Sequence, residues 1–324
     1  MRILSGIQPS GKLHIGNYFG MMKPAIELQS RGQAYLFIAN YHALTTVTDP
    51  EQLRADSRDV ALDFLACGLD PEKTVFFRQS DVPEVTELTW LLSIVTPMGL
   101  LERCHSYKDK LAKGIPASAA LFNYPVLMAA DILAYQSTVV PVGRDQKQHV
   151  EVTRDIAIKF NNQFGEVFTI PEPSIAEAVA VVPGLDGQKM SKSYGNAIAM
   201  REAPESVVKK IRKMPTDPAR VRRTDPGEPE RCPVWQLHLV YSDEATREWV
   251  QVGCRSAGIG CLECKQPVID AIIAEQRQFH ERAQPYLDSP ALLRDIVDDG
   301  CDRARKLAQQ TMHEVREAMG LGYR

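Results

Sequence analysis

With 324 residues, the chain can bury a large core, either as one long domain or as two smaller ones. Hydrophobic residues make up 44% and the formal net charge is −3, so any contact with RNA must come from a local patch rather than a generally basic surface. The apolar runs are too short to span a bilayer, and Met1-Arg2-Ile3-Leu4 lacks the long apolar stretch and cleavage site of a signal peptide. A cytoplasmic protein with no membrane partner is the expectation.

The first third alternates β-branched or aromatic runs with helix-like stretches. Strands are predicted over 2–5, 34–39 and 74–78, and helices over 16–29, 50–67 and 83–95. Asp49 is a plausible cap for the second helix and Gly68 its stop. Residues 99–120 break the rhythm and read as an insertion. The pattern returns with a helix over 124–136, a strand over 138–142, a helix over 145–164 and a last strand over 178–182. Strand, helix, strand at this spacing argues for a parallel sheet with right-handed crossovers. After about residue 193 only helices are expected, the longest over 265–286 and 289–319, each charged on one side and apolar on the other. The fold class is therefore α/β: a Rossmann-like, parallel-sheet nucleotide-binding domain (1–193) followed by an all-helical domain (194–324), whose final helix is free to pack back onto the first domain.

Two motifs carry chemistry. Gln8-Pro9-Ser10-Gly11 and His14-Ile15-Gly16-Asn17 follow the first strand and open a helix, where free N–H groups and the dipole favour an anion. A glycine-containing turn alone is weak support. Its partner is Lys189-Met190-Ser191-Lys192-Ser193, a doubly cationic loop flanked by glycines. Lysine acts there as a movable point charge for phosphates. A basic surface loop is the plain alternative, but it does not account for both motifs following strands of one α/β domain.

Together the motifs resemble the two nucleotide-binding signatures of class I aminoacyl-tRNA synthetases. The wider sequence resembles the bacterial tryptophan-specific family through Ser5-Gly6-Ile7-Gln8-Pro9-Ser10-Gly11, Met128-Ala129-Ala130-Asp131 and the run Pro141-Val142-Gly143-Arg144-Asp145-Gln146-Lys147-Gln148-His149. The resemblance implies a homodimeric tryptophan–tRNA ligase using ATP with Mg²⁺, and L-tryptophan and tRNA(Trp) as substrates. It implies that His14, Asn17, Lys189 and Lys192 are catalytic. ATP would also meet Gln8, Pro9, Ser10, Gly16, Lys110, Gly143, Arg144, Asp145, Val181, Met190, Ser191 and Ser193. Tryptophan would lie among Gln8, His42, Tyr124, Met128, Asp131, Val140, Val142 and Gln146.

Asp131 has a physical reading beside this one. A carboxylate between Met128, Ile132 and Leu133 is costly to bury without donors, and an indole offers one N–H donor and no acceptor. A helix-surface aspartate is the bland alternative. Leu4 departs from the family, standing where many relatives carry an aromatic residue beneath the indole. The tyrosine-specific relatives share fold and nucleotide grip but differ in the Ser-Gly-Ile-Gln-Pro-Ser-Gly and Gly-Arg-Asp-Gln segments. A regulatory paralogue that no longer charges tRNA is argued against by the intact His14, Asn17, Lys189 and Lys192.

In the helical part, Cys232, Cys254, Cys261 and Cys264 are spaced C-x21-C-x6-C-x2-C. In a cytoplasmic chain four thiolates point to a metal site rather than disulfides, and zinc and a [4Fe–4S] cluster both accept four cysteines. The resemblance extends to a subset of bacterial tryptophanyl-tRNA synthetases whose similar array holds a [4Fe–4S] cluster, with Zn²⁺ the alternative. Nearby, Lys209, Lys210, Arg212, Lys213, Arg220, Arg222 and Arg223 face a single acid, Asp217, in sequence. The run reads either as an RNA contact or as a solvated surface.

Overall fold

The computed structural model describes residues 1–104, 107–108, 118–143, 146–174, 182–191 and 194–322. These form two compact units: Met1–Gly11, Pro24–Glu177 and Tyr286–Arg324 make the first, and Lys12–Lys23 with Ala178–Pro285 the second.

The first unit is built on a five-stranded sheet, β1 (Arg2–Ile7), β2 (Gln33–Ile38), β3 (Thr74–Arg78), β4 (Val139–Pro141) and β5 (Glu172–Ser174). The order is β3-β2-β1-β4-β5 and every pairing is parallel, as expected of a Rossmann-like domain. The central strands are apolar on both faces, as a sheet covered by helices requires. The 50–67 expectation becomes helix Pro50–Ala66, with the Asp49 carboxylate accepting from the amides of Glu51 (2.9 Å) and Gln52 (3.4 Å).

Two expectations need correction. The helix over 16–29 is composite: Ile15–Asn17, a π-turn Tyr18–Met22, Lys23–Glu27 and a 3₁₀ turn Leu28–Ser30. Pro24 has no N–H to continue a regular ladder. The described sheet also holds Glu172–Ser174, a strand the sequence reading did not place, while 178–181 of the expected last strand lie outside the described residues. Pro173 is tolerated because β5 is an edge strand. The division also departs from a single cut at 193. The last helix, Pro290–Ala318, returns to the first unit, with Arg305 and Gln309 on Glu84 (both 2.9 Å) and Arg316 on Glu87.

The second unit is held by a core of Ile15, Val182, Met190, Ile198, Val207, Ile211, Val234, Leu237, Val268 and Ile272. Its helices include Pro204–Lys213, Pro233–Tyr241, Glu244–Arg255 and Cys261–Asp288, the last crossing into the first unit after Pro285. Among the described residues no helix is long and apolar enough to cross a membrane.

Candidate active site

Of the two phosphate motifs, His14, Gly16 and Asn17 share the second unit with Lys189, Met190 and Ser191, whereas Gln8, Pro9 and Ser10 belong to the first. His14 caps its helix reciprocally: its N–H donates to Asn17 Oδ1 (3.1 Å), and Asn17 N–H donates to His14 Nδ1 (3.3 Å). Since Nδ1 accepts, a neutral His14 carries its proton on Nε2. With Asn17 Oδ1 committed to the backbone, the amide nitrogen is its donor side. Both residues therefore offer N–H groups, the polarity a phosphate requires.

The Lys189 loop is fastened to this helix start. Ile15 N–H donates to Ile198 O (3.0 Å), Met200 N–H donates to Leu13 O (3.0 Å), and His14 bridges Ala199. Gly16 is needed where it stands: a Cβ would lie 2.9 Å from His14 Nδ1 and 3.4 Å from Met190 Cβ. Asn196 closes the loop, its Oδ1 accepting from Ser191 N (2.8 Å) and its Nδ2 donating to Asp186 (2.7 Å) and to Lys189 O (3.2 Å). That amide contact, with the Gln188 backbone donor, lowers the Asp186 pKa. Lys189 itself sits on a bridge to Pro183 with its side chain exposed. Asn196 was not legible in the sequence, because a neutral amide in a loop has no periodic signature.

Lys110, Arg144, Asp145, Val181, Lys192 and Ser193 lie outside the described residues. Gly143 is exposed, and Gln146 N–H donates to its carbonyl (3.0 Å).

The candidate tryptophan residues centre on Asp131, which is 1% exposed on helix Ala119–Leu133. The surface-aspartate reading is thereby excluded. Burial pushes its pKa up, opposed by the His42 hydrogen bond and charge and by the Gln79 amide. His42 Nε2 lies 2.7 Å from Oδ2, and Gln79 Nε2 lies 2.8 Å from each carboxylate oxygen. Tyr124, half-buried on the same helix, packs edge-on to His42 at 6.3 Å and places its hydroxyl 2.5 Å from His149 Nε2. Val140 is buried in β4, Met128 and Val142 are half-buried, and Gln8 and Gln146 are exposed. A cavity of about 280 Å³ is bordered by His42 and Tyr124 with Tyr41, Thr45, Thr89 and Leu127, but not by Asp131 or Met128. Gln79 and His149 are the polar partners that sequence reasoning missed; His149 was visible only as the end of a quoted run.

All four array cysteines line one small cavity of about 20 Å³, together with Thr216, Asp217, Arg220 and Val234. Their thiols are free. Burial, followed by the three neighbouring sulfurs, pushes the Cys264 thiol up to about 12, and burial also raises Cys232 and Cys254. Among the described residues, no three His, Cys, Asp or Glu side chains are gathered at metal-holding distances. The cysteines therefore converge on a common space without standing in ligating geometry. Arg220, only 8% exposed, borders that space: Nη1 approaches Cys254 Sγ at 3.9 Å, Nη2 donates to Ile259 O (2.6 Å) and Arg223 O (3.1 Å), and Nε has no partner among the described residues.

The basic run thus divides. Arg220 points inward, Lys210 pairs with Glu202 and donates to Ala197 O, and Arg223 donates to Ala257 O and Gly258 O. Lys209, Arg212, Lys213 and Arg222 stay exposed as the surface component.

Comparison with known proteins decides among the readings of this arrangement. Residues 1–275 match the family model of class I tRNA synthetases for W and Y. The chain belongs to that family. Within this synthetase family, it is 47% identical to the tryptophan–tRNA ligase of Ralstonia nicotianae, covering 99% of both chains. It is 47% identical to the tryptophan–tRNA ligase of Campylobacter jejuni, over 99% of this chain and 100% of that one. A crystal structure of the Campylobacter jejuni tryptophanyl-tRNA synthetase complexed with ADP and tryptophan superposes with a TM-score of 0.91, covering 99% and 100% of the two chains.

Proposed function

We propose that this chain is a tryptophan–tRNA ligase. It activates L-tryptophan with ATP to tryptophanyl-adenylate, releases pyrophosphate, and transfers the amino acid to tRNA(Trp). The observation that carries this reading is full-length likeness to a synthetase whose crystal structure holds ADP and tryptophan. ATP–pyrophosphate exchange measured with each amino acid tests it; exchange that depends on tyrosine and not on tryptophan would overturn it.

In the first step the tryptophan carboxylate attacks the α-phosphorus in line as pyrophosphate departs. The reacting phosphorus needs little covalent help, so the chain's residues position and stabilise charge. His14 and Asn17 hold the nucleotide through their N–H groups, and Lys189 and Lys192 follow the pyrophosphate, whose charge Mg²⁺ would also offset. Gly16 and Gly143 pack against the adenosine, Asp145 meets the ribose, Val181 borders the adenine, and Lys110 adds a phosphate contact. Gln8, Pro9, Ser10, Arg144, Met190, Ser191 and Ser193 complete the ATP site. Asp131 accepts from the indole N–H, with Met128, Val140 and Val142 along the ring and His42 beside it. Tyr124, Gln146 and Gln8 reach the ammonium and carboxylate.

Asp131→Asn is expected to weaken tryptophan binding while leaving ATP affinity near wild type. The lost interaction is on the order of 1–3 kcal/mol. Titration calorimetry with tryptophan checks this, and an unchanged dissociation constant removes Asp131 from the pocket.

The working unit is read as a cytoplasmic homodimer. Support comes from Trp90, Ile94 and Met98, which expose 72%, 56% and 64% of their surfaces; Trp90 and Ile94 share one face of helix Glu84–Val95. Sedimentation showing only monomer would sink this part.

For the cysteines, the donor set and Arg220 both fit an anionic metal–thiolate group. A buried guanidinium with an unmade hydrogen bond beside four sulfurs suits a [4Fe–4S] cluster bearing net negative charge. Cys232, Cys254, Cys261 and Cys264 would hold it. When bound, the group would supply a structural clip for the helical unit, with zinc the alternative occupant. Protein prepared without oxygen should be brown and contain about four irons per chain. Cys264→Ser should bleach it and impair tRNA charging more than adenylate formation. Stoichiometric zinc without iron would replace the cluster by a zinc clip. Four freely alkylated cysteines with no metal would end the metal reading.

A further inference from the structure

We propose that Gln79 is a positioning residue for substrate recognition, holding the Asp131 carboxylate as an oriented acceptor. The inference rests on the reading of Asp131 as the partner of the indole N–H.

Gln79 is fully buried in the 3₁₀ turn that follows β3, one residue beyond the last paired position, Ile38↔Arg78. Its amide is used at both ends. Oε1 accepts from Tyr41 N–H at 2.9 Å, and Nε2 donates to both oxygens of Asp131 at 2.8 Å. This fixes the amide's sense, because a flip would set its oxygen against the carboxylate and its NH₂ against the Tyr41 N–H. The same two turns are locked by a second reciprocal pair: Asn40 Nδ2 donates to Ser80 Oγ (2.7 Å), and Ser80 N–H donates to Asn40 Oδ1 (3.0 Å). Residues 40–41 and 79–80 therefore move together, and Asp131 is tied to that frame from a different element.

The chemistry suits the task. Burial favours a protonated Asp131, which would carry a hydroxyl and lose its exclusively accepting character. A primary amide gives both oxygens a donor without adding a charge that would cancel the carboxylate's. It does not titrate, so it supports the same acceptor state at every working pH.

The test is steady-state exchange and tryptophan calorimetry on Gln79→Met, Gln79→Glu, Asp131→Asn and the Gln79→Met/Asp131→Asn double variant. Gln79→Glu keeps an acceptor for Tyr41 N–H but replaces the neutral donor by a second carboxyl group against Asp131, so it serves if the methionine variant does not fold. KM for tryptophan should rise about tenfold or more in either Gln79 variant, with kcat and KM for ATP close to wild type. In the Asp131→Asn background, Gln79→Met should add little, because the group it orients is gone. Wild-type tryptophan KM in a folded Gln79 variant, alongside lost affinity in Asp131→Asn, overturns the proposal. Fully additive losses overturn it as well. Wild-type affinity in Asp131→Asn would instead remove the underlying reading of Asp131.

Discussion

Lys192→Ala is expected to slow adenylate formation by about 10²–10³-fold while tryptophan affinity stays near wild type. Negative charge on the leaving pyrophosphate grows only as the bond to the α-phosphorus breaks, so a cation placed there acts mainly on the transition state. The described residues on either side of Lys192 are firmly held. Asn196 holds Ser191 N–H, Lys189 O and Asp186 at once, and Pro183 bridges Lys189. The helix opened by Ile15 is tied to Ile198 beyond the loop, so His14, Asn17 and Lys189 are carried by one scaffold. Pre-steady-state measurement of adenylate formation, paired with equilibrium tryptophan binding, separates the two effects. A loss of tryptophan affinity as large as the loss of rate would contradict the assignment.

Much of the first unit was legible because its signals are local. β3 falls on Thr74–Arg78 as predicted, and Pro50–Ala66 carries its own cap at Asp49. The family was legible because its two signature motifs are short and local, and residues 1–275 match its model. The failures share a different cause. Glu172–Ser174 has no apolar alternation, and only its edge position allows Pro173. That the last helix packs back onto the first domain is open from the sequence, but nothing near residues 290–318 names β3, more than two hundred residues earlier, as its dock. Gln79, Asn196 and Arg220 act through single long-range hydrogen bonds or an inward orientation, which neither composition nor periodicity encodes. In sequence Arg220 is one more cation of the basic run, and only its burial places it beside the cysteines.

Gly300→Ala is expected to destabilise the first unit by about 3 kcal/mol, near the upper end for overpacking a tight contact. Gly300 is buried on the last helix, and a Cβ there would lie 1.8 Å from the carbonyl oxygen of Phe76 and 2.6 Å from its carbon. The obstacle is backbone in the sheet, so no side-chain rotation relieves it; the helix has to lift from β3. Lifting it also strains the contacts that fasten the strand's end: Cys301 Sγ accepts from Arg78 N–H at 3.4 Å, and Asp298 accepts from Arg78 Nη2 at 2.6 Å. The next residue is Gln79. A helix displaced from β3 should therefore raise KM for tryptophan in the molecules that remain folded, coupling a packing change to substrate recognition. Gly99→Ala is the matched control, since a Cβ at that position would meet only Arg103 Nη1 at 3.5 Å within helix Met98–Glu102. There the gain in helix propensity should leave stability unchanged or slightly higher. Chemical denaturation of both variants reads the difference directly. Equal midpoints for Gly300→Ala and Gly99→Ala would show that the helix does not approach the sheet as closely as its glycine implies.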